Sequence, residues 1–343
     1  MIPLSVLDLA TVASGSTAAQ ALRETTAMAV AVERLGYQRF WVAEHHAMAA
    51  VASSAPAVLI AHLADATTSL RVGAGGVMLP NHAPLVIAEQ FATLEALHPG
   101  RIDLGLGRAP GTDHVTARAL RRASDVQATT FPRDVVELIG YLVPQATPPH
   151  PAPTPGAGYL PDIWLLGSST FSARLAGQLG LPFSFAYHFA PAQLDQAVEV
   201  YHANFAASRF LEKPYLMVAA SVICAADDDT ARWLSGSSAL GLLQRAQGRP
   251  GPLPSPEDAA ATVMSDADAA SVAETFATHF IGSPARVVEG LHALRARTLA
   301  DEIMVSTRIH GFDERRTSFE LVAQEWGLHP LVTPHEPEVV HVP

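Results

Sequence analysis

Three glycines, at positions 73, 75 and 76, lie close together in the apolar run RVGAGGVMLP, from Arg71 to Pro80. The valines around them indicate a β-strand. Glycine weakens a strand unless the backbone must bulge there or allow a ligand to approach closely. Tight packing of a helix on the strand explains the glycines equally well, so the residues alone leave both interpretations open.

A second group of residues has the composition of an anion site. Arg108 follows the apolar run Leu104 to Gly107, and Ser168 and Ser169 follow the run Ile163 to Gly167, where a helix is predicted to begin. Amides and hydroxyls at the start of a helix bind phosphate well, and an arginine supplies the opposite charge. A salt bridge for Arg108 and ordinary capping by the serines are the structural alternatives. The combination favours an anion site.

Histidines follow two other apolar runs. His45 and His46 end the segment WVAEHH, and His188 follows Tyr187 at the end of a later run. Histidines at the carboxyl ends of strands are candidates for acid, base or hydrogen-bonding roles, and a metal-dependent hydrolase could also use them. Adjacent residues on a strand point to opposite sides, which argues against one metal held by His45 and His46. No metal site is predicted.

The elements that position these residues follow a simple alternation. Apolar runs rich in Val, Ile and Leu alternate with segments of helical period, which is typical of a parallel sheet built from βα units. The eight predicted strands are Pro3 to Leu9, Arg39 to Ala43, Leu70 to Met78, Arg101 to Leu106, Ile163 to Gly167, Pro182 to Tyr187, Tyr215 to Cys224 and Glu302 to Ser306. Eight units favour a (β/α)₈ TIM barrel over a doubly wound sheet, whose first turn usually carries GxGxxG.

We predict one barrel over residues 1–329 and a C-terminal tail over 330–343. The segment 144–161 contains seven prolines and is expected to connect the fourth helix to the fifth strand, on the face opposite the catalytic loops. A Gly/Pro/Ser-rich loop at about 236–268 is predicted to follow the seventh strand. Such a loop would lie over the C-terminal mouth of the barrel as a lid.

Composition excludes several classes of partner. The 343 residues carry a formal net charge of −11, which argues against nucleic acid and anionic membrane surfaces as partners. No apolar run approaches the ~20 residues that span a bilayer. The single cysteine, Cys224, lies in an apolar run and is predicted to be a buried thiol in a reducing compartment. The N-terminus does not resemble a secretory signal, so we expect a cytoplasmic protein.

Four of these motifs together are similar to a known family. WVAEHH (41–46), VGAGGVMLP (72–80), PGRIDLGLGR (99–108) and IWLLGSS (163–169) resemble the bacterial-luciferase-like superfamily of flavin-dependent oxidoreductases, in the same order and spacing. More narrowly, the chain resembles the single-subunit luciferase-family oxidoreductases. The match extends through the sixth predicted strand and fades after it.

The resemblance implies a luciferase-like barrel with loop insertions that binds FMN at its C-terminal mouth. It implies a non-proline cis peptide at Gly75 and Gly76 beneath the flavin ring, and His45 near the reacting face. The implied cofactor-binding residues also include Leu166 and, at the phosphate, Arg108, Ser168, Ser169 and Ser172, with Arg121 or Arg122 as a second phosphate arginine. Tyr187 and His188 are the candidates for the substrate pocket.

The implied activity is that of an FMN-dependent monooxygenase, which uses reduced FMN and O₂ to oxygenate a small organic substrate. A separate flavin reductase is expected because no nicotinamide-binding motif accompanies the barrel, and relatives in this family commonly form homodimers. Two alternatives stay open: a hydride-transfer oxidoreductase that depends on the deazaflavin F420, and a flavin-binding protein without catalytic activity.

Overall fold

The protein folds as a closed parallel β-barrel surrounded by helices. The computed structural model describes residues 2–109, 114–120, 126–147 and 149–329. Its strands are β1 (Leu4–Asp8), β2 (Arg39–Val42), β3 (Arg71–Met78), β4 (Ile102–Gly107), β5 (Asp162–Gly167), β6 (Phe183–Ala186), β7 (Leu216–Cys224), β8 (Phe280–Gly282) and β9 (Glu302–Ser306). The strand order around the ring is β1 to β7 in sequence, then β9, which pairs with β1 and closes the barrel.

The helices lie between the strands in the chain and pack outside the ring. They are α1 (Ala18–Leu35), α2 (Pro56–Ala66), α3 (Pro84–Leu97), α4 (His114–Ala119), α5 (Val126–Leu142), α6 (Thr170–Leu179), α7 (Leu194–Asn204), α8 (Asp228–Ala246), α9 (Pro256–Ala261), α10 (Asp266–Phe276), α11 (Pro284–Thr298) and α12 (Phe312–Trp326). Their ends follow local chemistry. The Thr17 side chain accepts a hydrogen bond from the Gln20 amide at the start of α1, and Gly36 ends that helix with φ 87°.

The eight predicted strands are all present, so the predicted (β/α)₈ class is confirmed. The sequence did not indicate β8, because three residues are too few to carry a periodic signal. This short strand pairs with residues 222–224 of β7, beyond the point where β7 pairs with β6. It therefore extends the sheet above the C-terminal end of β6.

The core has two parts. One apolar layer lies between the sheet and the helices, and it includes the thiol of Cys224, whose pKa burial raises to about 12. A second group fills the inside of the barrel, with Trp41 and Trp164 meeting edge to face at 5.3 Å between ring centroids. Below them, Arg39 pairs with Asp103 and Glu302 at the amino ends of the strands. This ion-pair network thus lies across the amino end of the barrel interior.

The segment predicted as a loop at about 236–268 is largely helical, so that prediction is wrong. Helix α8 continues to Ala246, and α9 and the start of α10 occupy much of the remainder. Packing overrides composition here, because α8 buries Leu234 and Leu240 among other apolar side chains. Gly236 also lets α9 approach, since a β-carbon there would lie 3.2 Å from the Ala259 β-carbon.

This helical insertion does reach the C-terminal mouth. The backbone of Leu253 exchanges hydrogen bonds of 2.8 Å with Val12 and Ser14, in the loop that follows β1. Its movement as a lid stays a prediction.

The proline-rich segment 144–161 joins α5 to the amino end of β5, on the face opposite the mouth. Two of its peptide bonds, His150–Pro151 and Thr154–Pro155, are cis. The predicted tail, 330–343, lies outside the described residues. Among the helices that the structure describes, none is long and apolar enough to cross a membrane.

Candidate functional site

The glycines of β3 form an irregular segment at the mouth of the barrel. The Gly75–Gly76 peptide bond is cis, as the resemblance implies, and the pairing with β4 shifts register between Gly75 and Val77. A β-carbon at position 76 would lie 2.7 Å from the carbonyl oxygen of Gly105 and 3.2 Å from Leu166 Cδ2. The bulge therefore needs glycine, and Leu166 packs directly beside it.

Close packing also accounts for part of this cluster. A β-carbon on Gly73 would lie 2.5 Å from the Asp103 β-carbon, and one on Gly75 would lie 2.9 Å from Leu7 Cδ1. The contacts of Gly73 are below the bulge, inside the barrel. The predicted bulge is thus present, whereas the close neighbours of these glycines belong to other strands and not to a packed helix.

Arg108 lies at the C-terminal end of β4 and contacts the first turn of α6. Its guanidinium carbon is 4.2 Å from the centre of the Phe171 ring, a cation–π geometry. Among the described residues, no carboxylate lies within 4.0 Å of this guanidinium, so the rim salt bridge is not formed. The sequence did not indicate a role for Phe171, although this residue lies only two positions after Ser169, a predicted phosphate-binding residue.

The serines predicted for the phosphate lie at the end of β5 and the start of α6. Ser169 is the N-cap residue of α6, yet its side chain makes no capping hydrogen bond. Ser168 is exposed, and Ser172 is buried against Gly167. An arginine without a carboxylate partner, serine hydroxyls and the amides of a helix start form a donor set that fits a phosphate group.

A buried carboxylate that the sequence did not single out lies beside this site. Glu44 follows β2, is fully buried, and accepts hydrogen bonds from His46 Nε2 at 2.8 Å and His82 Nε2 at 2.9 Å. It also accepts from the Met78 amide at 2.9 Å, just after the glycine bulge. Burial alone would raise the Glu44 pKa, but these hydrogen bonds lower it below its ordinary value.

Glu44 therefore ties the end of β2 to the end of β3. His46 belongs to the same motif as Glu44, but His82 and Met78 come from a separate segment, which is why the motif WVAEHH alone did not indicate the cluster. Within the described ranges, no three His, Cys, Asp or Glu side chains are arranged as a metal site.

The structure places His45 at the mouth, next to Glu44. The residue is partly buried, and its backbone amide donates to the Ser53 carbonyl at 3.0 Å. The two candidates for a second phosphate arginine, Arg121 and Arg122, lie outside the described residues. The role of His45 beside a flavin stays a prediction.

The two predicted pocket residues differ in their surroundings. Tyr187 is 8% exposed and stacks on Phe280 within the core, and its place in a substrate pocket stays a prediction. The strand end is covered there by β8, the element that the sequence missed. His188 is partly buried at the mouth and its Nδ1 donates to the Ala219 carbonyl at 3.0 Å. Burial lowers the His188 pKa.

Comparison with known proteins agrees with this geometry. The family model described as luciferase-like monooxygenase matches residues 2–302. The chain belongs to this family. A luciferase-like monooxygenase of Escherichia coli K12 is 47% identical over 320 residues, covering 93% of this chain and 96% of the relative. An N-acetyl-S-alkylcysteine monooxygenase of Bacillus subtilis is 42% identical over 191 residues, covering 54% and 57%.

Solved structures show the same fold. The luciferase-like chain superposes on apo-MsnO8 with a TM-score of 0.90 and 36% identity, covering 96% of this chain and 99% of the other. The oxygenating constituent of 3,6-diketocamphane monooxygenase, solved with FMN, gives a TM-score of 0.69 at 19% identity, covering 97% and 99%. The latter likeness supports the fold alone.

Proposed function

We propose that this protein is an FMN-dependent monooxygenase that uses reduced FMN and O₂ to oxygenate a small organic substrate. The observation that carries the proposal is Arg108, a cation without a described carboxylate partner, held against the first turn of α6 beside the Gly75–Gly76 bulge. Relatives named as monooxygenases support the same reaction class. We infer that the cofactor phosphate lies between Arg108 and α6.

Reduced FMN, when bound, supplies the electrons with which one atom of O₂ enters the substrate and the other leaves as water. Arg108, Ser168, Ser169 and Ser172 bind the phosphate in this proposal. The bulge provides a side-chain-free surface for the ring, with Leu166 beside it. His45 holds or moves a proton at the reacting face.

The helical insertion around Leu253 contributes to excluding water from the mouth. Its hydrogen bonds to the loop after β1 support this role. We propose that this insertion also closes over the bound substrate.

We also propose that a separate reductase delivers the reduced flavin and that the protein works in the cytoplasm as a homodimer. The reductase is needed because the chain carries no nicotinamide-binding motif. Exposed apolar residues on the neighbouring helices α2 and α3, Val58 at 73% and Val86 at 45%, support an interface there. Analytical ultracentrifugation tests the dimer, and NADH oxidation without added reductase would contradict the separate partner.

The Arg108→Ala variant tests the cofactor site. We expect it to weaken FMN binding by roughly 1.5 to 3 kcal/mol, because a charged hydrogen bond to phosphate is lost. Flavin fluorescence titration measures the dissociation constant. Arg133→Ala, which removes an arginine whose side chain is 75% exposed, is the matched control and should bind FMN like the wild type. An unchanged constant for Arg108→Ala would refute the assignment.

Titration with FMN and F420 in parallel separates the proposal from its alternatives. Preferential F420 binding would instead support hydride transfer, and FMN binding without turnover of any thioether or ketone would support a non-catalytic flavoprotein. N-acetyl-S-alkylcysteines are the first substrates to assay, because a relative is named for them.

A further inference from the structure

A second arginine at the barrel mouth lacks a counter-charge. Arg308 lies two residues beyond β9, and its Nε is shielded from solvent without a hydrogen-bond acceptor among the described residues. Among the residues that the structure describes, no carboxylate lies within 4.0 Å of the Arg308 guanidinium. Burial, aided by the nearby charge of Arg245, lowers the Arg308 pKa to about 10, so the side chain stays protonated at neutral pH.

Apart from the exposed Arg245, the groups described near Arg308 are neutral and also short of hydrogen-bond partners. His279, which precedes β8, has a buried Nδ1 without a hydrogen-bond partner among the described residues. Burial lowers its pKa to about 4, with help from His188 and Arg308, so the ring is neutral at pH 7. The buried hydroxyls of Thr307 and Ser237 are likewise unpartnered within the described chain.

These residues are held together by neighbouring elements. The Ser238 hydroxyl of α8 donates to the Arg308 carbonyl at 2.6 Å, which fixes the segment after β9 against that helix. His188, at the end of β6, is fixed to β7 through the Ala219 carbonyl. The cluster is thus built by the ends of β6 and β9 and by the insertion that follows β7.

The position of this cluster separates it from the candidate phosphate site. Arg108 and α6 belong to β4 and β5, whereas Arg308 follows β9, which lies on the opposite side of the strand ring. A ligand with two separated anionic groups, or two ligands that meet over the barrel axis, would satisfy both arginines. The proposed cofactor phosphate already provides an anionic partner for Arg108.

We propose that Arg308 binds the carboxylate of an organic substrate, with His279 and Thr307 as neutral hydrogen-bonding neighbours. The proposal rests on the proposed function and names its substrate class. Arg308 is partly buried, and a partly buried charge without a partner carries a cost that a bound anion offsets. His279 and Thr307 beside Arg308 are neutral, and the second nearby positive charge, Arg245, is exposed to solvent. This setting suits a monoanion such as a carboxylate better than a phosphate dianion, which needs more positive charge.

Calorimetric titration of the flavin-free protein tests this site without relying on turnover. The probes are phenylacetate and N-acetyl-S-methylcysteine, each compared with its own amide. We expect the wild type to bind the acids at least about tenfold more tightly than the amides, and Arg308→Gln to lose that preference. Arg245→Gln removes a neighbouring exposed charge and should retain it. Equal affinities for acids and amides in the wild type would overturn the proposal.

Thermal denaturation provides a second measurement. Arg308→Met replaces the unpaired charge with an apolar side chain, so we expect a higher Tm for the ligand-free variant and no further rise with phenylacetate. The wild type should gain stability from phenylacetate. A lower Tm for Arg308→Met, or an equal gain in both proteins, would contradict the site.

FMN titration of Arg308→Gln distinguishes the two proposals. Unchanged FMN affinity together with lost acid binding supports a substrate site. A parallel loss of FMN binding would assign Arg308 to the cofactor and overturn the inference. If the wild type binds acids through Arg308 but binds no FMN, the proposed function fails and the carboxylate site stands.

Discussion

Glu44 and His279 show how hydrogen-bond partners decide the effect of burial on a side chain. Glu44 is fully buried, but His46, His82 and the Met78 amide hold its charged form, and its pKa is lowered. His279 has no described partner at Nδ1, so burial favours the neutral ring and its pKa falls to about 4. One carboxylate stays charged and one imidazole stays neutral, within the same mouth.

The depressed pKa of His279 predicts that the protein loses stability in mild acid. An exposed histidine of the unfolded chain takes up a proton near pH 6.5, whereas the folded protein resists this until about pH 4. The unfolded state therefore binds more protons between these values, and the free energy of unfolding falls as the pH drops through that window. We expect a loss on the order of 1 to 3 kcal/mol from this residue, measured by urea denaturation at a series of pH values.

The His279→Asn variant should lose less stability than the wild type between pH 6.5 and pH 4.5. His202→Asn, at an exposed position, is the control and should follow the wild type. Identical pH profiles for His279→Asn and the wild type would show that this imidazole is not buried in its neutral form.

At the scale of elements, strand β3 combines a regular half and an irregular half. Residues 72 to 75 pair with β4 in register, and the shift after Gly75 turns the remaining residues towards Glu44. The Met78 amide is satisfied by that carboxylate. The bulge is therefore supported by a neighbouring strand end rather than by its own strand alone.

The Gly76→Ala variant tests whether the bulge is specific to glycine. The new β-carbon would lie 2.7 Å from a backbone oxygen, which cannot move as a flexible side chain does. We expect a loss of about 1 to 3 kcal/mol in unfolding free energy and weaker FMN binding. Gly251→Ala, where a β-carbon meets nothing within 4 Å, should change neither quantity. Normal FMN affinity in Gly76→Ala would argue that the bulge does not contact the cofactor.

Elements with long and regular sequence patterns could be predicted from the sequence, whereas elements with short or irregular patterns could not. The barrel strands carry strong local signals, and all eight predicted strands are present in the structure. The insertion after β7 has loop-like composition, yet buried contacts make it helical.

The candidate site was predictable only where one segment carries its residues. The Gly75–Gly76 bulge and Arg108 belong to recognisable motifs. Glu44 with His82, and Arg308 with His279, come together from distant segments, so their chemistry depends on tertiary structure that spacing does not encode.

At the scale of the whole molecule, the two ends of the barrel have different tasks. Among the described residues, the mouth holds groups with unsatisfied hydrogen-bonding capacity, such as Arg308 and His279. The amino end holds a satisfied network, in which Asp103 accepts from Arg39 at 2.9 Å, Arg71 at 2.6 Å and Trp41 Nε1 at 2.8 Å. The network at the amino end therefore stabilises the barrel that carries the residues of the mouth.

Replacing Asp103 with alanine should separate stability from ligand binding. Asp103 is fully buried, and its loss leaves the buried Arg39 guanidinium paired with Glu302 in place of two buried carboxylates, and the Trp41 indole without its acceptor. We expect the free energy of unfolding to fall by about 3 to 5 kcal/mol, measured by urea denaturation. Asp229→Ala breaks an ion pair of 2.7 Å whose carboxylate is 91% exposed, and should cost less than about 1 kcal/mol. At a temperature where Asp103→Ala remains folded, FMN affinity should equal that of the wild type, because the network lies at the far end of the barrel. Weaker FMN binding by the folded variant would show that the two ends are coupled through the Trp41 layer between them.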